Sequence, residues 1–280
     1  MFRKKTTPQT SFIDVFLKEN RYVLPRHVLI GCVNSVSIET DENPEHVAEI
    51  LMNSPVVQET LGQIKTQLDL VKSDSTLKNI FPKMKSGRYS ELAIDRESLK
   101  YISYSSNAEY TTKLITFYMA KLNMEPGSCA IVDTNGGFGG NTISFAFKFE
   151  HVFSIEFDTI RSIWLQNNVD LYDLQNVTVM NDDSAFALGK IKTDVVFMDP
   201  PWGGSNYKLH TNLRLNMGAK PIEFLTHETF ANGTMLVCLK LPMNYDFGYI
   251  SREFIDYDVS YHPFRKKIML VVIMKKLHEK

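Results

Sequence analysis

The sequence predicts an α/β fold in which a seven-stranded, mostly parallel sheet follows a mostly helical N-terminal extension. From about residue 129 onward, short apolar runs rich in β-branched side chains alternate with stretches of helical periodicity. A glycine-rich turn follows the first apolar run, and acidic residues stand at the ends of the first four. This combination indicates a doubly wound sheet, in which ligands bind at the carboxyl ends of the strands.

The strands are predicted from composition and from the residues that end each run. Runs of Val, Ile, Leu, Met and Phe suit strands that are buried on both faces. Pro242 is expected to stop the fifth strand, because proline provides no ladder donor. The last two strands are expected to be antiparallel about the turn at residues 265–267. We predict strands at residues 129–133, 151–156, 177–180, 195–198, 234–239, 257–264 and 268–274.

The helices are predicted from apolar residues spaced three and four positions apart. A helix before the first strand has Leu114, Ile115, Tyr118 and Met119 on one face. Asp158 is placed as the N-cap of the helix that follows the second strand. We predict helices at residues 108–122, 142–149, 158–171, 222–230 and 249–254.

The domain boundary is expected between residues 93 and 94, with an N-terminal extension at 1–93 and the α/β domain at 94–280. Residues 1–10 resemble a basic arm, 28–33 a short strand, and 46–52 and 56–70 two helices. The run 78–88 contains basic residues and no acids, so it is either a solvated face or a guide for phosphates.

Composition and charge exclude several classes of protein. The net charge of −1 over 280 residues provides no general basic field, so any contact with nucleic acid must be local. Three widely separated cysteines without a C-x-x-C pair argue against a disulfide framework and a zinc site. No apolar run has membrane-spanning length, and the N-terminus has no apolar signal region. We therefore expect a non-secreted, intracellular protein of the nucleus or cytoplasm that binds no metal and does not associate with a membrane.

The stretch that begins at Asp199 is the most informative in the chain. Asp199, Pro200, Pro201 and Trp202 follow an apolar strand, and two glycines come next. The carboxylate and the proline carbonyls accept hydrogen bonds, and the prolines bring no competing donor. They suit an exocyclic amino group on a base, and the indole ring offers a face on which a purine stacks. The stretch predicts methylation of an amine, provided that a cofactor site lies upstream.

A cofactor site is predicted at the ends of the first three strands. Asp133 opens the glycine-rich turn, and Glu156 ends the second strand, where it suits the hydroxyl groups of a ribose. Spacing alone also fits a dinucleotide. The turn departs from G-x-G-x-x-G, Asp183 follows the third strand, and the Asp199 stretch follows the fourth. These three points favour S-adenosylmethionine.

The motifs resemble those of the trimethylguanosine synthases, which methylate the exocyclic N2 of 7-methylguanosine caps on RNA. The resemblance covers residues 94–275 and implies a Rossmann-like class I methyltransferase that uses S-adenosylmethionine. Residues 94–97 resemble L-D-R-E, 133–141 resemble D-x-F-C-G-x-G-G-N, 142–146 resemble T-I-Q-F-A, 194–204 resemble A-D-V-V-F-x-S-P-P-W-G-G, and 241–244 resemble L-P-R-N.

The resemblance also implies roles for individual residues, with Trp202 stacked on the cationic 7-methylguanine. The catalytic set is Asp199, Pro200 and Trp202. The cofactor-binding set is Ser103, Asp133, Asn135, Gly137, Gly139, Asn141, Glu156 and Asp183. The substrate-binding set is Trp202, Gly203, Tyr207, Lys240 and Asn244.

The chain departs from the family pattern at several positions. Met243 stands where the family has an arginine that meets cap phosphates, so Lys240 or the basic run 78–88 would have to replace it. Asp199 stands where the family commonly has serine, which makes the stretch similar to that of adenine-N6 methyltransferases. Residues 135–136 replace Phe-Cys, and residues 103–107 lack a Thr-Pro pair.

From these observations we expect a cap guanine-N2 methyltransferase whose partner is 7-methylguanosine-capped RNA, acting as a monomer. Two alternatives remain open. One is an adenine-N6 methyltransferase acting on RNA or DNA. The other is a catalytically degenerate domain that only binds caps, which the acids Asp133, Glu156 and Asp199 argue against.

Overall fold

A computed structural model of the protein describes residues 69–276. The arm at 1–10, the strand at 28–33 and the helix at 46–52 lie outside the described residues, as does nearly all of the helix at 56–70. The described chain from Lys72 onward belongs to one compact unit.

The centre of this unit is a sheet of seven strands in the order β3-β2-β1-β4-β7-β9-β8. The neighbouring pairs from β3 to β7 are parallel, whereas β9 is antiparallel to β7 and to β8. The strands are β1 Ala130–Asp133, β2 His151–Glu156, β3 Val177–Asn181, β4 Val195–Met198, β7 Leu236–Pro242, β8 Tyr257–Phe264 and β9 Ile268–Lys275. Two short strands, β5 Asn216–Met217 and β6 Lys220–Pro221, form a separate antiparallel pair.

Helices connect these strands and cover both faces of the sheet. The α-helices are α1 Asp74–Ile80, α2 Ser105–Lys121, α3 Gly140–Ala146, α4 Thr159–Leu171, α5 Ser184–Ala187, α6 Ile222–Ala231 and α7 Phe247–Glu253. One core cluster joins the sheet to α2 and α3, and a second joins it to α5, α6 and α7. The predicted doubly wound, mostly parallel sheet is therefore confirmed.

The central strand β4 shows why an unbroken apolar run forms a strand here. All four of its residues are buried. Val195 and Phe197 face the cluster with α2 and α3, whereas Val196 and Met198 face the cluster with α6 and α7. Because successive side chains point to opposite faces, a strand covered on both sides must be apolar at every position.

Strand β7 is longer than the sequence predicted. It continues through Lys240 and Leu241 to Pro242, beyond the predicted end at residue 239. Its parallel pairing with β4 ends at Leu239, but its pairing with β9 continues to the Pro242–Ile268 pair. Proline lacks a ladder donor, yet it is tolerated where a strand has lost one of its two neighbours.

The β8–β9 hairpin was predicted correctly, and its turn lies at the carboxyl end of β7. Phe264 pairs with Ile268 across the turn, and Arg265 adopts a left-handed backbone conformation with φ of 56°. The backbone N–H of Met243 donates to the carbonyl of Lys267 over 3.1 Å. The basic turn 265–267 therefore borders the sheet edge at which Asp199 lies.

The segment before α2 runs along α4. The hydroxyl of Tyr172, just after α4, donates to the carbonyl of Pro82. Near the other end of α4, Arg161 lies 3.8 Å from the buried carboxylate of Asp95. The chain thus passes from the amino edge of the sheet at Pro82 to the carboxyl edge at Asp95. The basic run 78–88 lies toward the amino edge, away from the Asp199 loop.

Candidate active site

The glycine-rich turn between β1 and α3 packs closely on β2. The backbone N–H of Gly136 donates to the carbonyl of Ile155 over 2.8 Å, and a Cβ at this position would overlap the hydroxyl of Ser154. Gly139 caps α3 with φ of 97°, a conformation that favours glycine. The tight turn therefore depends on residues that lack a side chain.

Asp133 lies inside this turn. It is 1% exposed, and its carboxylate accepts from the hydroxyl of Thr142 over 2.7 Å and from the N–H of Asn135 over 3.3 Å. Burial raises the pKa of Asp133 to about 6. We expected this carboxylate to face the cofactor, but its contacts are with the turn itself. These hydrogen bonds tie the carboxylate to the turn and to α3, and direct contact with the cofactor stays a prediction.

Glu156 lies at the end of β2 and is half-buried. Its carboxylate oxygens accept from the N–H groups of Gly137 over 2.8 Å and Asp158 over 2.9 Å. Burial raises its pKa, although these two hydrogen bonds oppose the rise. An ionised carboxylate accepts more than two hydrogen bonds, so it has capacity left for a ligand hydroxyl.

Ser103 and Asn141 meet at the start of α3. The side-chain amide of Asn141 donates to the Ser103 hydroxyl oxygen over 3.2 Å. Both residues are buried, and Oδ1 of Asn141 has no hydrogen-bond partner. A buried acceptor without a partner is costly and fits a site that a ligand donor completes. The ammonium group of S-adenosylmethionine is such a donor, so this corner fits the cofactor.

Asp199 follows β4 and forms an ion pair with Lys240 of β7. The Lys240 ammonium nitrogen lies 2.5 Å from Oδ2 of Asp199 and 3.1 Å from the Ser103 hydroxyl. Burial raises the pKa of Asp199, and the ammonium group opposes this rise. We expected Lys240 to reach substrate phosphates, but it is only 7% exposed and its charge faces Asp199.

Trp202 and Tyr207 form one wall of a pocket in the loop that follows Asp199. Their rings meet edge to face, with centroids 5.2 Å apart and an angle of 73° between the planes. The pocket has a volume of about 230 Å³ and is also lined by Gly203, His210 and Arg214. This is below the range of about 300–1,000 Å³ typical of drug-sized ligands. The size suits one ring system better than a whole nucleotide.

Asn244 holds the loop that carries this wall. Its side-chain amide donates to the carbonyls of Tyr207 and His210, each over 2.7 Å. The backbone carbonyl of Asn244 accepts from the N–H of Leu213 over 2.9 Å. We expected Asn244 to bind substrate. Its side-chain amide holds the loop instead of lining the pocket, and a contact with substrate stays a prediction.

Arg214 is held in the pocket wall by groups that the sequence did not single out. Its Nε donates to Glu223 over 3.1 Å, and its guanidinium lies 3.3 Å from the centroid of the Tyr249 ring. Glu223 is 2% exposed and also accepts from the hydroxyl of Tyr245. Arg214 lies in a stretch without periodicity or motif. Only its charge, shortly after Trp202, could have pointed to it.

The remaining predicted residues lie near the same sheet edge. Asp183 is half-buried and caps α5 by accepting from the N–H of Ala185 over 2.9 Å. The side-chain oxygen of Asn135 accepts from the Thr134 hydroxyl over 2.6 Å. Pro200 is buried directly after Asp199. All three predicted sets are joined by contact, since Lys240 of the substrate-binding set reaches Asp199 of the catalytic set and Ser103 of the cofactor-binding set.

Residues 69–276 contain neither a membrane-spanning helix nor a metal-binding cluster. In this part of the chain no helix has the length and apolar character needed to span a membrane. Over the same residues, no three His, Cys, Asp or Glu side chains are grouped closely enough to hold a metal ion.

Comparison with known proteins identifies the family. A model of the RNA cap guanine-N2 methyltransferases matches residues 128–275, which is more than half of the 280 residues. An uncharacterized protein of Acanthamoeba polyphaga mimivirus is 33% identical over 252 residues, covering 82% of this chain and 97% of the viral protein.

Two trimethylguanosine synthases are also similar. The protein from Saccharomyces cerevisiae is 28% identical over 193 residues, which are 65% of this chain and 61% of the yeast protein. The protein from Schizosaccharomyces pombe is 38% identical over 93 residues, which are 31% of this chain and 38% of that protein. The matches therefore span less than two thirds of either synthase.

Solved structures share the architecture. A candidate methyltransferase from Porphyromonas gingivalis W83 superposes with a TM-score of 0.50 at 14% identity, covering 100% of this chain and 60% of that one. At this identity the likeness concerns the fold alone, and it confirms the predicted Rossmann-like class I architecture. The family match, the fold and the fit of the Asn141 corner lead to one conclusion. The chain belongs to the RNA cap guanine-N2 methyltransferase family and is an S-adenosylmethionine-dependent methyltransferase.

Proposed function

We propose that the protein transfers a methyl group from S-adenosylmethionine to the exocyclic N2 of 7-methylguanosine caps on RNA. The observation that carries this proposal is the pocket lined by Trp202 and Tyr207 in the loop that follows Asp199 and Pro200 along the chain. An aromatic wall in the loop that begins at a carboxylate suits a flat, cationic base that presents an amino group. The names of the two fungal relatives support the same substrate class.

The cofactor supplies an electrophilic methyl group, and the chain supplies alignment. The Asp199 carboxylate accepts one hydrogen of the amino group, and the Pro200 carbonyl accepts the other, which orients the nitrogen lone pair. Trp202 holds the base by stacking. Alignment and electrostatic stabilisation of the developing positive charge account for the rate enhancement in this scheme.

The cofactor site in this proposal combines side chains and backbone along the carboxyl edge. Glu156 accepts from the ribose hydroxyls, and Asp183 meets the adenine amino group. Oδ1 of Asn141, beside Ser103, accepts from the ammonium group of the methionine part. Asp133 keeps the turn that contains Asn135, Gly137 and Gly139 in shape.

The phosphates of a capped RNA require cations near the pocket, and Met243 provides none. The basic turn 265–267 supports this part of the proposal, because the backbone N–H of Met243 donates to the backbone carbonyl of Lys267 and so the turn lies next to Met243. Arg265 is tied to the start of α2 by its hydrogen bonds to Asn107. The run 78–88 lies toward the other edge, so the turn is the better candidate for the phosphate contacts.

Adenine-N6 methylation is the second candidate, because Asp199 itself favours it. A carboxylate before Pro-Pro-Trp accepts from an adenine amino group as readily as from a guanine amino group. Methyl transfer should therefore be measured on 7-methylguanosine caps, on unmethylated caps and on adenine-containing oligonucleotides. Activity confined to the first substrate supports the proposal. Activity confined to the third contradicts it, and no activity on any of them supports a domain that only binds.

A matched pair of variants tests the role of Trp202. The cation–π contribution of an indole ring is about 0.5–2 kcal/mol, so removing it should erase most of the preference for methylated over unmethylated caps. We expect Trp202→Ala to bind both caps alike and Trp202→Phe to keep part of the preference. Cap affinities measured by fluorescence titration provide the comparison. Equal binding of both caps by the unmodified protein would count against a cap substrate.

A further inference from the structure

Lys240 is a lysine inside the protein rather than at its surface. It belongs to β7, between two neighbours that are fully buried. Leu239 and Leu241 face the cluster with α6 and α7, so Lys240 points to the opposite face, toward the segment before α2. An ammonium group in such a place is costly unless it is paired and hydrogen-bonded.

The partners of Lys240 belong to both halves of the candidate site. The ammonium nitrogen contacts Oδ2 of Asp199 and the hydroxyl oxygen of Ser103. The same hydroxyl oxygen accepts from Asn141, whose Oδ1 is the buried acceptor without a partner. Lys240 thus connects the carboxylate proposed for the substrate amine to the corner proposed for the cofactor.

We propose that Lys240 is a positioning residue that keeps Asp199 ionised through Oδ2 and directs Oδ1 toward the amino group to be methylated. The inference rests on the role of Asp199 in the proposed function. A carboxylic acid would present a donor to the amine, whereas a carboxylate presents only acceptors. The ion pair therefore decides whether the loop accepts an amino group at all.

The charges around Asp199 agree with this role. Burial raises the pKa of Asp199, and Lys240 counteracts the rise through its charge and its hydrogen bond. Asp199 also interacts with the Asp133 carboxyl on β1 and the Cys238 thiol on β7. Neither of these brings a positive charge, so Lys240 is the group among them that favours the ionised form.

The direct test is a carboxyl carbon-13 NMR titration of the full-length protein without substrate. The Asp199 signal is identified by its absence from the spectrum of Asp199→Asn. An opposite charge at this distance lowers a carboxyl pKa by about 1–3 units, so Lys240→Met should raise the titration midpoint by at least about one pH unit. Lys240→Arg should keep the midpoint of the unmodified protein. Lys121→Met, at an exposed lysine on α2, serves as the control and should leave it unchanged.

Kinetics on an accepted substrate give a second readout. In Lys240→Met the acid limb of the plot of kcat/KM against pH should shift to higher pH by the same amount as the NMR midpoint. The variant should recover much of its activity above that midpoint, and Lys240→Arg should restore the original limb. A lysine that merely fills the interior would lower activity equally at every pH.

An unchanged midpoint in Lys240→Met overturns the inference. If that variant does not fold, Lys240→Gln is measured in its place under the same criterion. An Asp199 signal that titrates above about pH 7 in the unmodified protein also overturns it, because the carboxyl would then be protonated at neutral pH. A raised Asp199 midpoint in Lys240→Met, together with no methylation of caps, would contradict the proposed substrate and still support the inferred role of Lys240. Cap methylation with an unchanged midpoint would support the proposed substrate and overturn the inference about Lys240.

Discussion

At the scale of the residue, the site combines acids that serve different purposes although they share one sequence pattern. Asp133 and Glu156 end strands of the sheet, and Asp183 and Asp199 come shortly after strands. Asp133 is enclosed and holds a turn, Asp183 caps a helix, and Glu156 is half-buried with room for a ligand. Asp199 is the one among these four that is paired with a lysine. Burial and hydrogen bonding, which the strand pattern does not encode, separate these roles.

Asp133 makes stability depend on pH. Its pKa is raised from 3.8 to about 6 in the folded protein, so the folded state binds more protons than the unfolded state between these values. The free energy of unfolding therefore falls as pH rises through this window, by on the order of 2–3 kcal/mol from this group. Below the window both states are protonated, and above it the loss is complete.

The variant Asp133→Asn should remove this contribution. We expect its free energy of unfolding, measured by urea denaturation at several pH values, to fall less between pH 3.8 and about 6. The comparison uses the slope against pH, because the amide also lowers stability at every pH. Asp74→Asn, at an exposed carboxylate on α1, is the control. An identical slope in Asp133→Asn and the unmodified protein would contradict the prediction.

Glu156 should govern cofactor affinity. Hydrogen bonds to a charged group contribute about 1.5–3 kcal/mol, so Glu156→Ala should weaken S-adenosylmethionine binding by about 10- to 150-fold. Glu156→Gln keeps one acceptor oxygen, so its affinity for S-adenosylmethionine should lie between those of the unmodified protein and Glu156→Ala. Calorimetric titration of the full-length protein measures these affinities, with Glu109→Gln on the exposed face of α2 as the control. Unchanged affinity in Glu156→Ala would remove this residue from the cofactor site.

At the scale of the element, Asn168 of α4 joins three segments of the chain. Its side chain accepts from the N–H of Ala93 over 2.8 Å and donates to the carbonyls of Ala93 and Phe138 over 2.7 and 2.9 Å. It is fully buried. The segment before α2 and the glycine-rich turn are therefore positioned by one amide on a neighbouring helix.

Asn168→Ala should be strongly destabilising, because it leaves buried backbone groups without partners. We expect a loss of about 2–4 kcal/mol in the free energy of unfolding, measured by guanidinium denaturation. Gln166→Ala on the same helix removes a side chain whose hydrogen bond goes to the exposed Asp170. That control should stay within about 0.5 kcal/mol. Equal effects of the two substitutions would contradict the role of Asn168.

At the scale of the whole molecule, the near-neutral charge limits how RNA is bound. With a net charge of −1, attraction to phosphates must come from local groups such as the turn 265–267. Each phosphate contact with a single strand changes the slope of log affinity against log salt by about 0.7. A few contacts therefore predict a shallow salt dependence.

Charge reversal distinguishes the two basic segments. Lys266→Glu should reduce the magnitude of the salt slope for capped RNA by at least about 0.7. Lys85→Glu, in the run toward the opposite edge of the sheet, should leave it unchanged. Fluorescence anisotropy of a labelled capped RNA at increasing potassium chloride measures both slopes. The reverse outcome would assign the phosphate contacts to the run 78–88.

The sequence by itself determined the doubly wound sheet, the position of the glycine-rich turn and the Asp199 stretch. These features follow from local patterns: apolar runs, helical periodicity, and glycine or proline where the backbone needs them. The elements α1, α5, β5 and β6 were not predicted. Elements of two to four residues, such as α5, β5 and β6, are too short to show a period.

Only the tertiary structure decided the partners of the polar residues. Lys240 and Asp199 are far apart in sequence and meet because β4 and β7 are neighbours in the sheet. Arg214 is also held in the pocket wall by tertiary contacts, since its partners Glu223 and Tyr249 lie on two separate helices. Sequence patterns report which face of an element is buried. Which charges are brought together depends on the order of the strands, and that order results from packing of the whole chain.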